Sequence, residues 1–132
     1  MDEPKRRLIA DWLQKASHDI CSAERLMQPA PILDTAVYHC QQAAEKALKG
    51  YLASQDVPVQ KTHDLTVLVE RCIDFDSRFG ALVERCEILT PYGTEFRYPG
   101  SDVVPQTEDA SAALIMARDA LSLVQRVIDE TG

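Results

Sequence analysis

The sequence has 132 residues, of which 45% are hydrophobic and 27% are charged. This length is enough for one compact domain with its own core, and the composition excludes a disordered or fibrous chain. The 14 Lys and Arg residues against 21 Asp and Glu give a net charge of -7. That sign disfavours nonspecific nucleic-acid binding, which needs a basic surface to displace counterions. We expect one domain over residues 1–132.

The N-terminal residues 1–7 are charged and are not followed by the apolar segment of a signal peptide. No apolar stretch approaches the roughly 20 residues that a membrane-spanning helix needs. We therefore expect a cytoplasmic protein without membrane attachment. The cysteines are far apart and form no Cys-x-x-Cys pair, so we expect buried free thiols rather than disulfides or metal ligands. They are Cys21, Cys40, Cys72 and Cys86.

Apolar residues at steps of three and four predict two long helices in the first part of the chain. The first covers about residues 5–27, and the prolines Pro29 and Pro31 end it because proline lacks an amide donor. The second covers about residues 34–54, with Asp34 or Thr35 as its N-terminal cap. Its small alanines predict a close approach to a neighbouring helix.

Three further helices are predicted after residue 61. Thr62 or Asp64 caps the third, which is short, and the fourth carries apolar residues from Phe79 to Leu89. Turn-forming residues fill the stretch 94–106, and Thr107 caps the last helix. No segment alternates like a strand. The predicted fold is therefore all-α, an antiparallel up-and-down bundle of four to five helices.

Three motifs follow one another along the chain: YHCQQAAEKALK at residues 38–49, KTHDL at residues 61–65 and FRYP at residues 96–99. They resemble those of the HEPN family, named for higher eukaryotes and prokaryotes nucleotide-binding. The resemblance implies a bundle like the substrate-binding domain of nucleotidyltransferases, and frequent homodimers. It also implies a small nucleotidyltransferase as a partner, encoded beside the gene. Some HEPN proteins are metal-independent ribonuclease toxins that this neighbour neutralises.

The second helix carries a polar edge beside its apolar face. His39, Gln42, Lys46 and Lys49 follow one another at steps of three, four and three residues, so their side chains line one edge of the helix. Lys46 and Lys49, with Gln42, would bind a phosphate or an acidic partner surface. The alternative is a solvated helix face supported by a Glu45–Lys49 pair, which is worth only a few tenths of a kcal/mol.

His63 and the pair Arg97 and Tyr98 are the candidates outside that helix. His63 could hold the loop before the third helix, or it could act as an acid or base. We favour the structural role. Arg97 would suit a phosphate and Tyr98 a base or sugar, although both residues could equally clamp their own loop through Glu95 or Asp102.

The ribonuclease branch of the resembled family carries an arginine followed four to six residues later by a histidine. This sequence departs from that pattern, because no histidine lies downstream of His63. The histidines also lack metal-ligand spacing, and no glycine-rich phosphate loop is present. We therefore expect neither a metal nor a cofactor.

The leading hypothesis is a non-catalytic HEPN module of a toxin-antitoxin-like system. It would present Lys46, Lys49, His63, Arg97 and Tyr98 to a nucleotide ligand or to a partner nucleotidyltransferase. The alternatives are a divergent ribonuclease that uses Arg97 with His63, and a purely structural dimerisation bundle.

Overall fold

A computed structural model describes residues 1–96, 98–100 and 104–131. Over these residues the chain forms five α-helices and two short 3-10 helices, and no strand. The predicted all-α bundle is confirmed. The α-helices are α1 (Glu3–Leu26), α2 (Leu33–Ser54), α3 (Leu65–Ile73), α4 (Val83–Leu89) and α5 (Thr107–Thr131), and the 3-10 helices are Ser77–Leu82 and Thr90–Gly93.

Helix α2 lies at the centre of the bundle and packs most extensively against α1 and α5. Its alanines Ala43, Ala44 and Ala47 are fully buried, as expected for helices in close approach. At Gly50 the approach is tight enough that a β-carbon would lie 3.0 Å from Cβ of Trp12 on α1. The buried apolar side chains of all five α-helices join in one cluster.

The predicted helix starts were correct at α3 and wrong at α2 and α5. Asp64 caps α3, since its carboxylate accepts a hydrogen bond from the backbone N–H of Thr66. Helix α2 begins at Leu33 without a side-chain cap, so Asp34 and Thr35 lie inside its first turn. Helix α5 includes Thr107 as its first residue.

At the start of α5 the capping contact comes from the first turn instead of from Thr107. The carboxylate of Asp109 accepts a hydrogen bond of 2.8 Å from the backbone N–H of Gln106. This is the reciprocal half of a capping box, in which an acidic residue within the helix reaches back to the N–H that precedes it.

The segment predicted as a fourth helix is divided in two. Ser77–Leu82 is a 3-10 helix and only Val83–Leu89 is α-helical. Gly80 lies within the first part, and glycine weakens an α-helix because ordering it costs more conformational entropy. Phe79, Leu82, Cys86 and Leu89 are nevertheless buried as predicted.

The prediction of buried thiols holds for three cysteines and is wrong for Cys21, which is exposed. Cys21 directly follows the buried Ile20 on α1, one position beyond the inward face of that helix. Burial raises the pKa of Cys40 and of Cys86 to about 12. These thiols are thereby held in the unreactive protonated form.

Within the described residues, no helix is both long enough and apolar enough to cross a membrane.

Candidate functional site

A buried carboxylate joins α1 to α2. Asp19 of α1 is only 7% exposed. Its Oδ2 accepts a hydrogen bond of 2.6 Å from Nζ of Lys46, and its Oδ1 accepts one of 2.8 Å from Nδ1 of His39. We call these three residues the Asp19 cluster. A buried charge is tolerated only when it is paired, so this cluster ties the two helices together at one polar point.

A second buried carboxylate joins α2 to the loop before α3. Glu45 is 4% exposed and forms an ion pair of 3.1 Å with Lys49, which is itself 9% exposed. Oε1 of Glu45 also lies 2.9 Å from Nδ1 of His63. We call Glu45, Lys49 and His63 the Glu45 cluster. It orients the His63 ring, whose side chain is 69% exposed.

The polar edge predicted on α2 is therefore shared between two clusters. His39 and Lys46 turn towards α1, whereas Lys49 turns towards Glu45. Between them Gln42 donates a hydrogen bond of 2.8 Å to the side-chain oxygen of Gln41. The predicted Glu45–Lys49 pair is present, but both side chains are buried, so this part of α2 is not a solvated face.

Gln41 connects the Glu45 cluster to the loops around it. It is completely buried and donates a hydrogen bond of 2.9 Å to the backbone oxygen of His63. Gly93 packs directly on it, since a β-carbon on Gly93 would lie 2.8 Å from Cδ of Gln41. The glycine thus leaves room for an amide that holds the loop before α3.

An open cleft lies where α2 begins. A cavity of about 500 Å³ is lined there by Ile32, Leu33 and Asp34 from the start of α2, and by Phe96, Tyr98 and Val104 from the segment before α5. A neighbouring cavity of about 230 Å³ shares Asp34 and Phe96 and reaches His39. We call the two cavities together the α2 cleft.

The predicted site residues separate into distinct places. Tyr98 lines the α2 cleft and is 70% exposed. His39 belongs both to the cleft and to the Asp19 cluster, while Lys46 and Lys49 are held by carboxylates. His63 lies in the Glu45 cluster. Arg97 falls outside the described residues, as does Asp102, the loop-clamping partner considered for it.

Sequence reasoning missed Asp19, Gln41 and the contribution of Phe96 to the cleft. A signal existed for the first two. Asp19 falls between Ala16 and Ala23 at steps of three and four, which places a carboxylate on the inward face of α1. Gln41 follows Val37 by four residues on the inward face of α2. A charged or amide side chain on a buried face usually has a dedicated partner.

The histidines and the cleft offer different kinds of chemistry. Two histidines are each held through Nδ1 by a buried carboxylate, and the described residues of the cleft offer aromatic rings and the carboxylate of Asp34. Across the described residues, no group of three or more His, Cys, Asp and Glu side chains is arranged to hold a metal ion.

Comparison with known proteins identifies the family. The HEPN domain model matches residues 9–129. The crystal structure of an archaeal HEPN homologue superimposes with a TM-score of 0.74 at 24% sequence identity, covering 91% of this chain and 97% of that one. At this identity the similarity concerns the fold alone. No curated protein gives a significant match.

Proposed function

The chain belongs to the HEPN domain family, and from this premise we propose that it is a non-catalytic module that binds a small nucleotidyltransferase or a nucleotide. It would serve as one half of a toxin-antitoxin-like pair. The observation that carries this proposal is the α2 cleft, which is open, partly aromatic and lined by the predicted residue Tyr98. Exposed aromatic side chains beside a concavity are typical of binding surfaces.

The state of the lysines favours a protein partner over a free nucleotide. Lys46 and Lys49 each form an ion pair with a buried carboxylate, so a phosphate would have to compete with Asp19 or Glu45 for them. Displacing a buried carboxylate from its cation leaves an uncompensated charge, which is strongly unfavourable. The lysines therefore stabilise the bundle, and the α2 cleft is the surface that would bind the partner protein.

Titration calorimetry tests the proposal directly. The ligands are ATP, GTP and each small nucleotidyltransferase encoded in the same genome. We expect a nucleotidyltransferase to bind, and Tyr98→Ala to weaken binding about tenfold, as for a central interface aromatic. Phe75→Ala is the matched control, because Phe75 is also an exposed aromatic and lies outside the cleft. Absence of binding to every ligand would refute the proposed function.

One observation favours the ribonuclease alternative. Glu45 holds Nδ1 of His63, and within the described part of the chain no hydrogen bond engages the other ring nitrogen. A histidine oriented in this way can accept or donate a proton at Nε2. Expression of such an enzyme would arrest growth and leave cleaved RNA, and His63→Ala or Arg97→Ala would relieve the arrest. Arrest with that pattern would decide against the binding-only function.

Homodimer formation is part of the same proposal. Ile88 of α4 and Ile115 of α5 are 47% and 58% exposed and line one groove, which supports association through this face. Light scattering should give the mass of a dimer, and a monomer at all concentrations would contradict it.

The remaining alternative is a purely structural dimerisation bundle. If it is correct, Lys46→Ala and Arg97→Ala would leave every binding measurement unchanged.

A further inference from the structure

We propose that the α2 cleft receives an arginine side chain of the partner protein, whose guanidinium pairs with Asp34 and stacks on the ring of Tyr98 or Phe96. The inference rests on the proposed function, because it names the chemistry by which a protein partner would be recognised. It gives Asp34 a role in binding in addition to its hydrogen bond with the backbone N–H of Thr35 in the first turn of α2.

The space suits a side chain of this kind. The larger cavity has a volume of about 500 Å³, which leaves ample room for one side chain. Apolar residues line most of it, including Ile32, Leu33 and Val104. An arginine can lay its aliphatic stem along such a wall while its charged end reaches a carboxylate.

The charge of the described part of the cleft favours a cation. Among the described residues that line the larger cavity, Asp34 is the only charged one, and no described Lys or Arg side chain forms an ion pair with it. Its Oδ1 accepts a hydrogen bond of 2.7 Å from the backbone N–H of Thr35. The other carboxylate oxygen makes no hydrogen bond to the described residues. The net charge of the whole chain, -7, has the same sign.

The N-terminus of α2 has an electrostatic effect opposite to that of Asp34, and its effect is weaker. An uncapped helix N-terminus carries a partial positive charge of about half an elementary charge, which attracts anions. Asp34 carries a full negative charge at the same place, and its Oδ1 already engages one of the free N–H groups. The carboxylate therefore dominates, and a phosphate would meet net repulsion.

The aromatic rings favour arginine over lysine. Tyr98 and Phe96 line the larger cavity together with Asp34, and Tyr98 is 70% exposed. A planar guanidinium can stack on such a ring while donating two parallel hydrogen bonds to a carboxylate. The compact ammonium of lysine is more strongly hydrated and lacks this geometry.

The test is a nuclear magnetic resonance titration of the whole chain at low ionic strength. The probes are acetyl-arginine amide, acetyl-lysine amide and AMP, each raised to tens of millimolar, roughly the range of a single weak contact. We expect the arginine probe to shift the signals of Asp34, Phe96 and Tyr98 and to bind more tightly than the lysine probe. AMP should bind more weakly than either.

Two variants separate the charge from the fold. Asp34→Asn keeps an oxygen that can accept the Thr35 N–H and removes the charge, so binding of the arginine probe should fall at least about fivefold. Asp129→Asn is the control, since it makes the same change at an exposed position near the end of α5. Unchanged arginine binding by Asp34→Asn, tighter binding of AMP, or no binding of the arginine probe would overturn the inference.

Calorimetric titration with the nucleotidyltransferases distinguishes a failure of the arginine contact from a failure of the proposed function. If a nucleotidyltransferase binds the wild-type chain and Asp34→Asn equally well, the function stands and the arginine contact is wrong. If the arginine probe binds at Asp34 but no nucleotidyltransferase binds, the cleft chemistry stands and the partner class is wrong.

Discussion

Replacing Asp19 with asparagine tests whether the Asp19 cluster holds α1 to α2. The substitution keeps the shape of the side chain and removes the charge that pairs with Lys46 and His39. Hydrogen bonds to charged groups contribute about 1.5–3 kcal/mol each. Lys46 and His39 are 26% and 27% exposed and can be partly rehydrated, so the lower value applies to each. We expect a loss of about 3 kcal/mol in the free energy of unfolding.

Urea denaturation followed by circular dichroism measures that loss, and thermal unfolding should show a fall in Tm of about 10 °C. Glu24→Gln is the matched control, because the Glu24–Arg118 pair also links two helices but its side chains are 45% and 49% exposed. An exposed pair of this kind contributes at most about 1 kcal/mol. The double variant Asp19→Asn, Lys46→Met should recover part of the loss, since the lysine no longer stays unpaired.

If Asp19→Asn lowers the free energy of unfolding no more than Glu24→Gln does, the Asp19 cluster does not hold α1 to α2. Further destabilisation on adding Lys46→Met would likewise show that the cluster does not behave as a buried charge with dedicated partners.

Three further predictions concern other parts of the bundle. Gly93→Ala should destabilise the protein by about 1–2 kcal/mol in urea, because the added methyl group displaces the buried Gln41. Asp64→Ala should lower the free energy of unfolding by about 1 kcal/mol through loss of the α3 cap. The hydrogen bond from Thr66 lowers the pKa of Asp64. The stabilisation by this carboxylate should therefore be present at neutral pH and be lost as pH falls through the lowered pKa. In a thiol-reagent assay, Cys21 should react rapidly in the native protein and the other cysteines only after unfolding, and rapid native labelling of all four would contradict the buried core.

The long helices could be predicted because their apolar spacing persists over many turns. In α1 and α5 the buried faces follow the predicted apolar pattern. Helix α2 buries its predicted stripe and, because it lies at the centre of the bundle, also Gln41, Glu45 and Lys49. The division of the fourth segment around Gly80 could not be predicted, since a short apolar segment fits a 3-10 helix and an α-helix equally well. The starts of α2 and α5 depend on backbone geometry that several neighbouring Ser, Thr and Asp residues could satisfy.

The candidate site was only partly accessible to sequence reasoning. Spacing along α2 predicts that His39, Lys46 and Lys49 line one edge, because their relation is local to one helix. In the structure His39 and Lys46 turn towards Asp19 of α1, whereas Lys49 turns towards Glu45. Their partners Asp19 and His63 come from other elements, and the spacing within a single helix carries no information about them. Burial of Lys49 beside Glu45 likewise depends on tertiary packing.

The most direct test is hydrogen–deuterium exchange of the chain with and without the nucleotidyltransferase proposed as its partner. We predict slowed exchange at residues 31–39 and in the peptides that contain Tyr98, because both line the α2 cleft. Protection confined to the groove of Ile88 and Ile115, with no change around the cleft, would contradict it.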